Sequence, residues 1–306
     1  MVKILFFATG YFSTFCSEYE QFITRELFSE EEISITYIDN ILEIEQVDET
    51  FDIFVYRCRE PQNYMWRYVP TYEDVLKCAL KYKPKIIIQL ADEYYFENLQ
   101  EHNQLAKICN LFLRQFNYSN YEYFENTVQI PLGYYNDFEI QNKIVKKIKE
   151  KNLNWSFIGC EKSDRRECVE TFSVIENNFV HLQQDGVSQQ ISREQLIDVY
   201  LDSIFIPCSR GWTQTETNRI YESLMCGAIP VIVCGEEEYN VVFQFYGNFQ
   251  EKPFFIRENS WIEAVDKCKK LLDTPDELQK IQEYNIKWFN DIILNTKKLI
   301  QKAILQ

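Results

Sequence analysis

Reactive metal-binding and redox patterns are scarce in this chain. It holds two histidines in 306 residues, and its 10 cysteines contain no C-x-x-C pair and no histidine partner at zinc-finger spacing. That spacing excludes a zinc module or a disulfide framework as the organising principle. Positive charge is also short: 32 Lys+Arg stand against 47 Asp+Glu, a net −15. A protein built to grip polyanionic nucleic acid is therefore excluded, and no nucleic-acid partner is expected. No segment reaches membrane length without charges. The apolar run within Met1–Gly10 is too short for a signal core or a bilayer span and reads as a first strand. The expectation is a soluble, cytoplasmic protein. Cys160, Cys226 and Cys234 then read as free thiols acting as small buried hydrophobes. Internal repeats and low-complexity linkers are absent as well.

What is present is an ordinary globular balance, 46% hydrophobic and 26% charged, over a length that suits two domains. Strand-like runs at Lys3–Ala8, Ile33–Ile38, Phe51–Tyr56 and Lys85–Leu90 alternate with helical spacing at Ser17–Phe28 and Tyr72–Tyr82. Thr71-Tyr-Glu-Asp74 reads as a capping box. A short strand at 128–133 leads into a charged helix through Lys151, whose basic cluster Lys143–Lys151 reads as a solvated face. The alternation then restarts: strands Asn154–Ile158, Phe179–Leu182, Ser203–Ile206 and Ile229–Val233, with helices Arg165–Ile175, Ser192–Tyr200 and Glu216–Met225 between them. Helical patterns at Pro275–Tyr284 and Trp288–Ala303 close the chain. The pattern predicts an α/β fold of two Rossmann-like lobes with a cleft between them, residues 1–137 and 138–306.

The chemistry concentrates between Phe205 and Val231, a strand, a small-residue loop, a helix, a Gly turn and a second strand. Ligands of open α/β sheets bind at the carboxyl ends of strands, and free N–H groups at a helix start favour a diphosphate there. Gly211 would let the backbone come close, and Thr213, Thr215 and Thr217 add hydroxyls. Arg219 and Glu222 share a helix face: Arg219 suits phosphate charge and Glu222 suits two ribose hydroxyls, the alternative being an exposed i,i+3 ion pair. Arg165 and Arg166 follow a strand end and open a helix, where one could reach the same phosphates. Tyr94, Tyr95, Tyr134, Tyr135 and Trp212 are aromatic candidates for stacking on a sugar or base; at 16% aromatics most such residues are core packing, and only Trp212 is placed to be such a contact. His102 and His181 are given no role.

The order P-x-x-x-G followed by R-x-x-E-x-L-x-x-G-x-I-P-V resembles the donor half of exostosin-like glycosyltransferases. It is carried by Pro207, Gly211, Arg219, Glu222, Leu224, Gly227, Ile229, Pro230 and Val231. Trp155-Ser-Phe-Ile-Gly159 with Arg165 and Arg166 is similar to the strand that opens that half, and Pro131-Leu-Gly133 to a segment of the ribitol xylosyltransferase branch. The likeness covers residues 128–235. It implies the GT-B fold, a nucleotide-sugar donor such as UDP-xylose, and a glycan or other hydroxyl acceptor. Transfer would be inverting and need no metal cofactor, since arginines and a helix N-terminus can meet the departing diphosphate charge and no D-x-D motif stands out. The general base would come from the opposite lobe, with Asp92 and Glu93 after the strand Lys85–Leu90 as candidates, the alternative being a helix cap. Two other readings share this fold: an inactive nucleotide-sugar or glycan-binding protein, and a nucleotide-sugar epimerase.

Overall fold

Short runs of β-branched and aromatic residues bounded by polar turns build two parallel sheets. The computed structural model describes residues 1–7, 19–28, 33–38, 41–56, 71–90, 101–117, 124–140, 142–183, 191–211, 214–243, 246, 252–253 and 255–306. By its internal contacts the chain divides into one unit of Met1–Pro131, Phe245–Phe249 and Ile292–Gln306, and a second of Leu132–Gln244 and Gln250–Asp291.

In the first unit β1 (Val2–Phe7), β2 (Ile33–Ile38), β3 (Ile53–Tyr56), β4 (Ile86–Gln89), β5 (Leu111–Arg114) and β6 (Thr127–Gln129) form a sheet in the order β2-β1-β3-β4-β5-β6. Every pairing is parallel. Such strands are covered on both faces, which is why β3, β4 and β5 are buried along their whole length. Helix α1 (Tyr72–Tyr82) begins at the reciprocal cap expected there: Asp74 N–H donates to Thr71 Oγ1 at 3.3 Å and Thr71 N–H to Asp74 Oδ2 at 2.9 Å. Its Val75, Cys78, Ala79 and Tyr82 pack on Leu5, Phe54, Ile87 and Phe112. At the carboxyl end of this sheet Gln89, Arg114 and Gln129 stand in register and buried. There Arg114 donates to Gln89 Oε1 and to Asn103 Oδ1, both at 2.8 Å.

The second unit holds β7 (Leu153–Cys160), β8 (Asn178–Gln183), β9 (Ser203–Pro207), β10 (Ile229–Val233) and β11 (Ile256–Glu258), again all parallel, in the order β11-β10-β9-β7-β8. Between and after them run α2 (Arg165–Phe172), α3 (Arg193–Leu201), α4 (Asn218–Met225), α5 (Glu236–Val242), α6 (Trp261–Leu272) and α7 (Pro275–Leu305). The core is aromatic: Phe172 lies between Trp155 at 5.3 Å and Trp261 at 6.0 Å. The Trp155 indole N–H is satisfied by Ile175 O at 2.8 Å.

By internal contacts residues 132–138 group with the second unit, where Asn218 Nδ2 donates to Gly133 O at 3.1 Å. The α/β class and the alternation of the sequence are those observed, and three local features differ. The charged helix through Lys151 does not form; only Ile148–Glu150 makes a 3-10 turn. Side chains of this segment are fastened individually, Lys143 to Asp198, Lys146 to Asp202 and Lys149 to Asp276. Lys151 is buried, its ammonium donating to Leu201 O and Cys226 O at the ends of α3 and α4, and burial draws its pKa down to about 8. The two closing helices are one, since no Pro or Gly interrupts Pro275–Leu305, and its residues from Ile292 count with the first unit. Cys160 is exposed at the end of β7, unlike Cys226 and Cys234; the eight described cysteines are all free thiols.

The turn from α4 into β10 depends on Gly227. Its φ of 62° lies in the left-handed region, and an added Cβ would overlap Val145 Cγ1. Gln282 Nε2 donates to its carbonyl oxygen. Left-handed strain and overpacking each cost about 1–2 kcal/mol. Gly227→Ala is therefore expected to lower unfolding stability by about 3 kcal/mol, read as a fall in urea midpoint at unchanged slope.

Candidate functional site

In the second unit the chain leaves β7 for β8 on one side and returns to β9 on the other, so the sheet has its topological switch point between β7 and β9. Crevices at the carboxyl ends of strands at such a point are where open α/β sheets bind ligands. The segments that follow these two strands bring Gly159, Arg165, Ser209, Arg219 and Glu222 into the same region.

Gly159 organises the arginines. Arg219, in the first turn of α4, donates from Nη2 to Ile158 O at 3.0 Å and lies with its guanidinium 4.7 Å from the Phe157 ring centre. Arg165, the first residue of α2, donates from Nη1 to Cys160 O at 2.8 Å. Both side chains are buried, and a Cβ on Gly159 would stand 2.8 Å from Arg219 Nη2 and 3.4 Å from Arg165 Nη1. Absence of a side chain, rather than an unusual backbone angle, is what lets two guanidinium groups gather at the strand end. Two buried like charges this close repel each other, and a bound dianion would remove that repulsion.

One helical turn beyond Arg219, Glu222 is buried with the nearest cation, Arg193 Nη1, at 4.0 Å from Oε1. Burial pushes its pKa up, against the opposing pull of the Arg193 and Arg219 charges and of the Tyr135 backbone N–H. Four buried polar atoms here, Ser209 Oγ, Thr217 Oγ1, Arg219 Nε and Glu222 Oε1, make no hydrogen bond with the described residues. Each such group costs about 1–3 kcal/mol, so a cluster of them marks a place shaped for a polar ligand. Thr217 has the extended backbone of an N-cap, φ −140° and ψ 154°, yet its hydroxyl caps nothing, leaving the first N–H groups of α4 to other acceptors.

The remaining sequence candidates separate. Arg166 is exposed and held bidentately by Glu161, at 2.6 and 2.5 Å, so only Arg165 of that pair turns inward. Thr215 is buried and its hydroxyl donates to Glu238 Oε1 at 2.6 Å, while Arg210 pairs with the same carboxylate. Gly211 N–H donates to Gln214 O at 3.0 Å. Tyr134 is core; Tyr135 lies beneath the Arg193 guanidinium at 5.2 Å. Asp92, Glu93, Tyr94, Tyr95, Trp212 and Thr213 lie outside the described residues. Sequence reasoning missed Arg193, Ser209 and Glu238. Ser209 follows the end of the buried strand β9, a positional signal; Glu238 lies in the first turn of α5 and Arg193 in that of α3, and each reaches the region from a helix of its own, which leaves no linear signal.

Among the described residues no group of three or more His, Cys, Asp or Glu side chains is arranged to hold a metal ion, and no helix is long and apolar enough to cross a membrane. No protein-family model matches the chain, and no curated protein sequence matches it. Solved structures do. T4 phage BGT in complex with UDP and Mn2+ superposes with a TM-score of 0.53 at 12% identity, covering 99% of each chain. The same phage protein with its UDP-glucose substrate gives 0.50, also at 12% identity and 99% of each chain. An alpha1,3-fucosyltransferase with GDP-fucose gives 0.49 at 12% identity, over 98% of this chain and 90% of that one. What is shared is the fold, the two Rossmann-like units of GT-B proteins.

A carboxyl whose pKa is raised by folding adds stability at acid pH and loses that contribution as pH rises through its folded value. Glu222 therefore weakens the fold at neutral pH. Glu222→Gln is expected to raise stability by about 1 kcal/mol at pH 7.5, a gain typical of relieving strain at a functional site, and to give none near pH 4. Paired urea titrations at the two pH values measure this.

Proposed function

We propose that the protein is a glycosyltransferase that binds a nucleotide sugar at the switch point of its second unit and transfers the sugar to a hydroxyl acceptor. The observation that carries this reading is the pair of buried guanidinium groups gathered over Gly159, one helical turn from a buried carboxylate with an unsatisfied oxygen. Two fixed cations at a helix start suit a diphosphate, and a carboxylate beyond them suits the vicinal hydroxyls of a ribose. The fold shared with T4 phage BGT supports the same reading, that protein having been solved with UDP and with UDP-glucose.

In this reading Arg165, Arg219 and the first turn of α4 take up the negative charge that develops on the departing diphosphate, preorganised in a site where little water screens them. Glu222 accepts from the ribose. Gly211 lets the backbone approach the diphosphate, Thr213 adds a hydroxyl donor, Trp212 contacts base or sugar, and Asp92 or Glu93 takes the proton from the acceptor hydroxyl. The exostosin-like motif order, with its Pro131-Leu-Gly133 segment, favours a UDP-sugar such as UDP-xylose, inversion at the sugar carbon and no metal requirement, because the arginines supply the positive charge.

A ligand present at one hundred times its dissociation constant stabilises a folded protein by about 2.7 kcal/mol, a rise of several degrees in thermal midpoint. A panel of nucleotides and UDP-sugars, with and without divalent metal, is expected to give that rise with UDP and with one UDP-sugar irrespective of metal, and the rise is expected to vanish in Glu222→Ala. Absence of any shift across the panel would overturn the proposal. Gly159→Ala displaces only the flexible end of Arg219, so it should melt within about 3 °C of the parent. It should bind UDP at least tenfold more weakly while binding uridine as the parent does, both measured by calorimetry.

A further inference from the structure

Arg193 is half-exposed at the first position of α3, yet it makes two contacts that lead inward. Its guanidinium lies 5.2 Å from the Tyr135 ring centre, and its Nη1 is 4.0 Å from Glu222 Oε1. That separation is an ionic contact too long for a hydrogen bond, so Oε1 stays open to a donor. Tyr135 contributes its ring beneath Arg193 and its backbone N–H toward Glu222. Three elements, α3, α4 and the 132–138 segment, thus converge on one carboxylate.

We propose that Arg193 is a positioning residue for nucleotide recognition: stacked on Tyr135, it holds the buried Glu222 carboxylate ionised without occupying Oε1, so that both oxygens can accept from a vicinal diol. The proposal rests on the assignment of Glu222 to the ribose. A protonated carboxyl would turn one of its oxygens into a donor and lose the charge that strengthens both bonds, so only the ionised form accepts strongly from both hydroxyls at once. Among the other charged or titratable groups near Glu222, the Arg219 charge also draws its pKa down, by less than Arg193 does. Arg219 on α4 is committed to Ile158 O and to the ring of Phe157. Tyr200 on α3, Cys208 after β9 and Cys226 at the end of α4 are all held protonated by burial, which raises each pKa, that of Cys208 to about 12.

Removing Arg193 removes the largest of the influences that hold the Glu222 pKa down, so Glu222 should take up a proton at a pH where the parent stays ionised. Below that point affinity for a diol ligand falls about tenfold per pH unit. The test is calorimetric binding of UDP and of 2′-deoxy-UDP between pH 5.5 and 8.0 by the parent, Arg193→Met and Arg193→Lys. The 2′-deoxy ligand carries the same diphosphate, so the ratio of the two affinities cancels phosphate titration. In the parent this ratio is expected to hold to a lower pH than in Arg193→Met. In Arg193→Met it should match the parent at pH 8.0 and collapse about tenfold toward acid pH, and Arg193→Lys should restore it. A ratio that is pH-independent in Arg193→Met, or a loss equal for both ligands, would overturn the proposal while leaving the donor site in place. Failure of the parent to bind UDP at all would overturn both.

Discussion

The second unit's site depends on Arg219 lying flat over the end of β7. Its guanidinium is bound to Ile158 O and stacked on Phe157, and Gly159 gives it the space. A buried guanidinium is costly, and here carbonyl dipoles and an aromatic face replace part of its water. Arg165 is secured in the same way by the next carbonyl but one, so the strand end gathers two cations. The resulting strain is concentrated where a ligand of opposite sign would relieve it.

The first unit shows the contrasting solution to a buried guanidinium. Arg114 lies deep at the carboxyl end of its sheet and is enclosed by amide oxygens of Gln89 and Asn103, each within ordinary hydrogen-bond distance. The in-register row of Gln89, Arg114 and Gln129 turns three neighbouring strands polar at the same level, which ends the apolar core there. The segments that follow β1, β3 and β4 in this unit, where Asp92 and Glu93 stand, lie outside the described residues.

Much of the fold was legible because its signals are local. β10 is Ile229–Val233 and α1 is Tyr72–Tyr82, residue for residue as the pattern predicts, since alternation, capping and Gly turns act over a few positions. β5 and β11 were not legible: runs of four and three residues offer no periodicity to read. The misreading of Lys143–Lys151 has a different cause. Lysines at helical spacing suggest a solvated helix face, but Lys143, Lys146 and Lys149 find carboxylates and Lys151 the ends of two helices, and tertiary contacts override propensity. In the site, Arg219 and Glu222 were legible because they share one helix. The choice of Arg165 over Arg166 depends on Glu161 capturing the latter, and the approach of Arg193 depends on how α3 packs against α4, neither of which a linear pattern carries.

Gly227 is fixed twice over, by backbone angle and by Val145, and both constraints belong to the turn rather than to any ligand. Glu222 and Gly159 carry no such architectural duty; replacing them would leave the sheet intact. A relative of this chain without the proposed activity would keep the glycine of the turn for as long as it folded, while the carboxylate and the bare strand end were free to drift. One sequence signature thus carries two kinds of position: Gly227 reports the fold, and Glu222 and Gly159 report the proposed site.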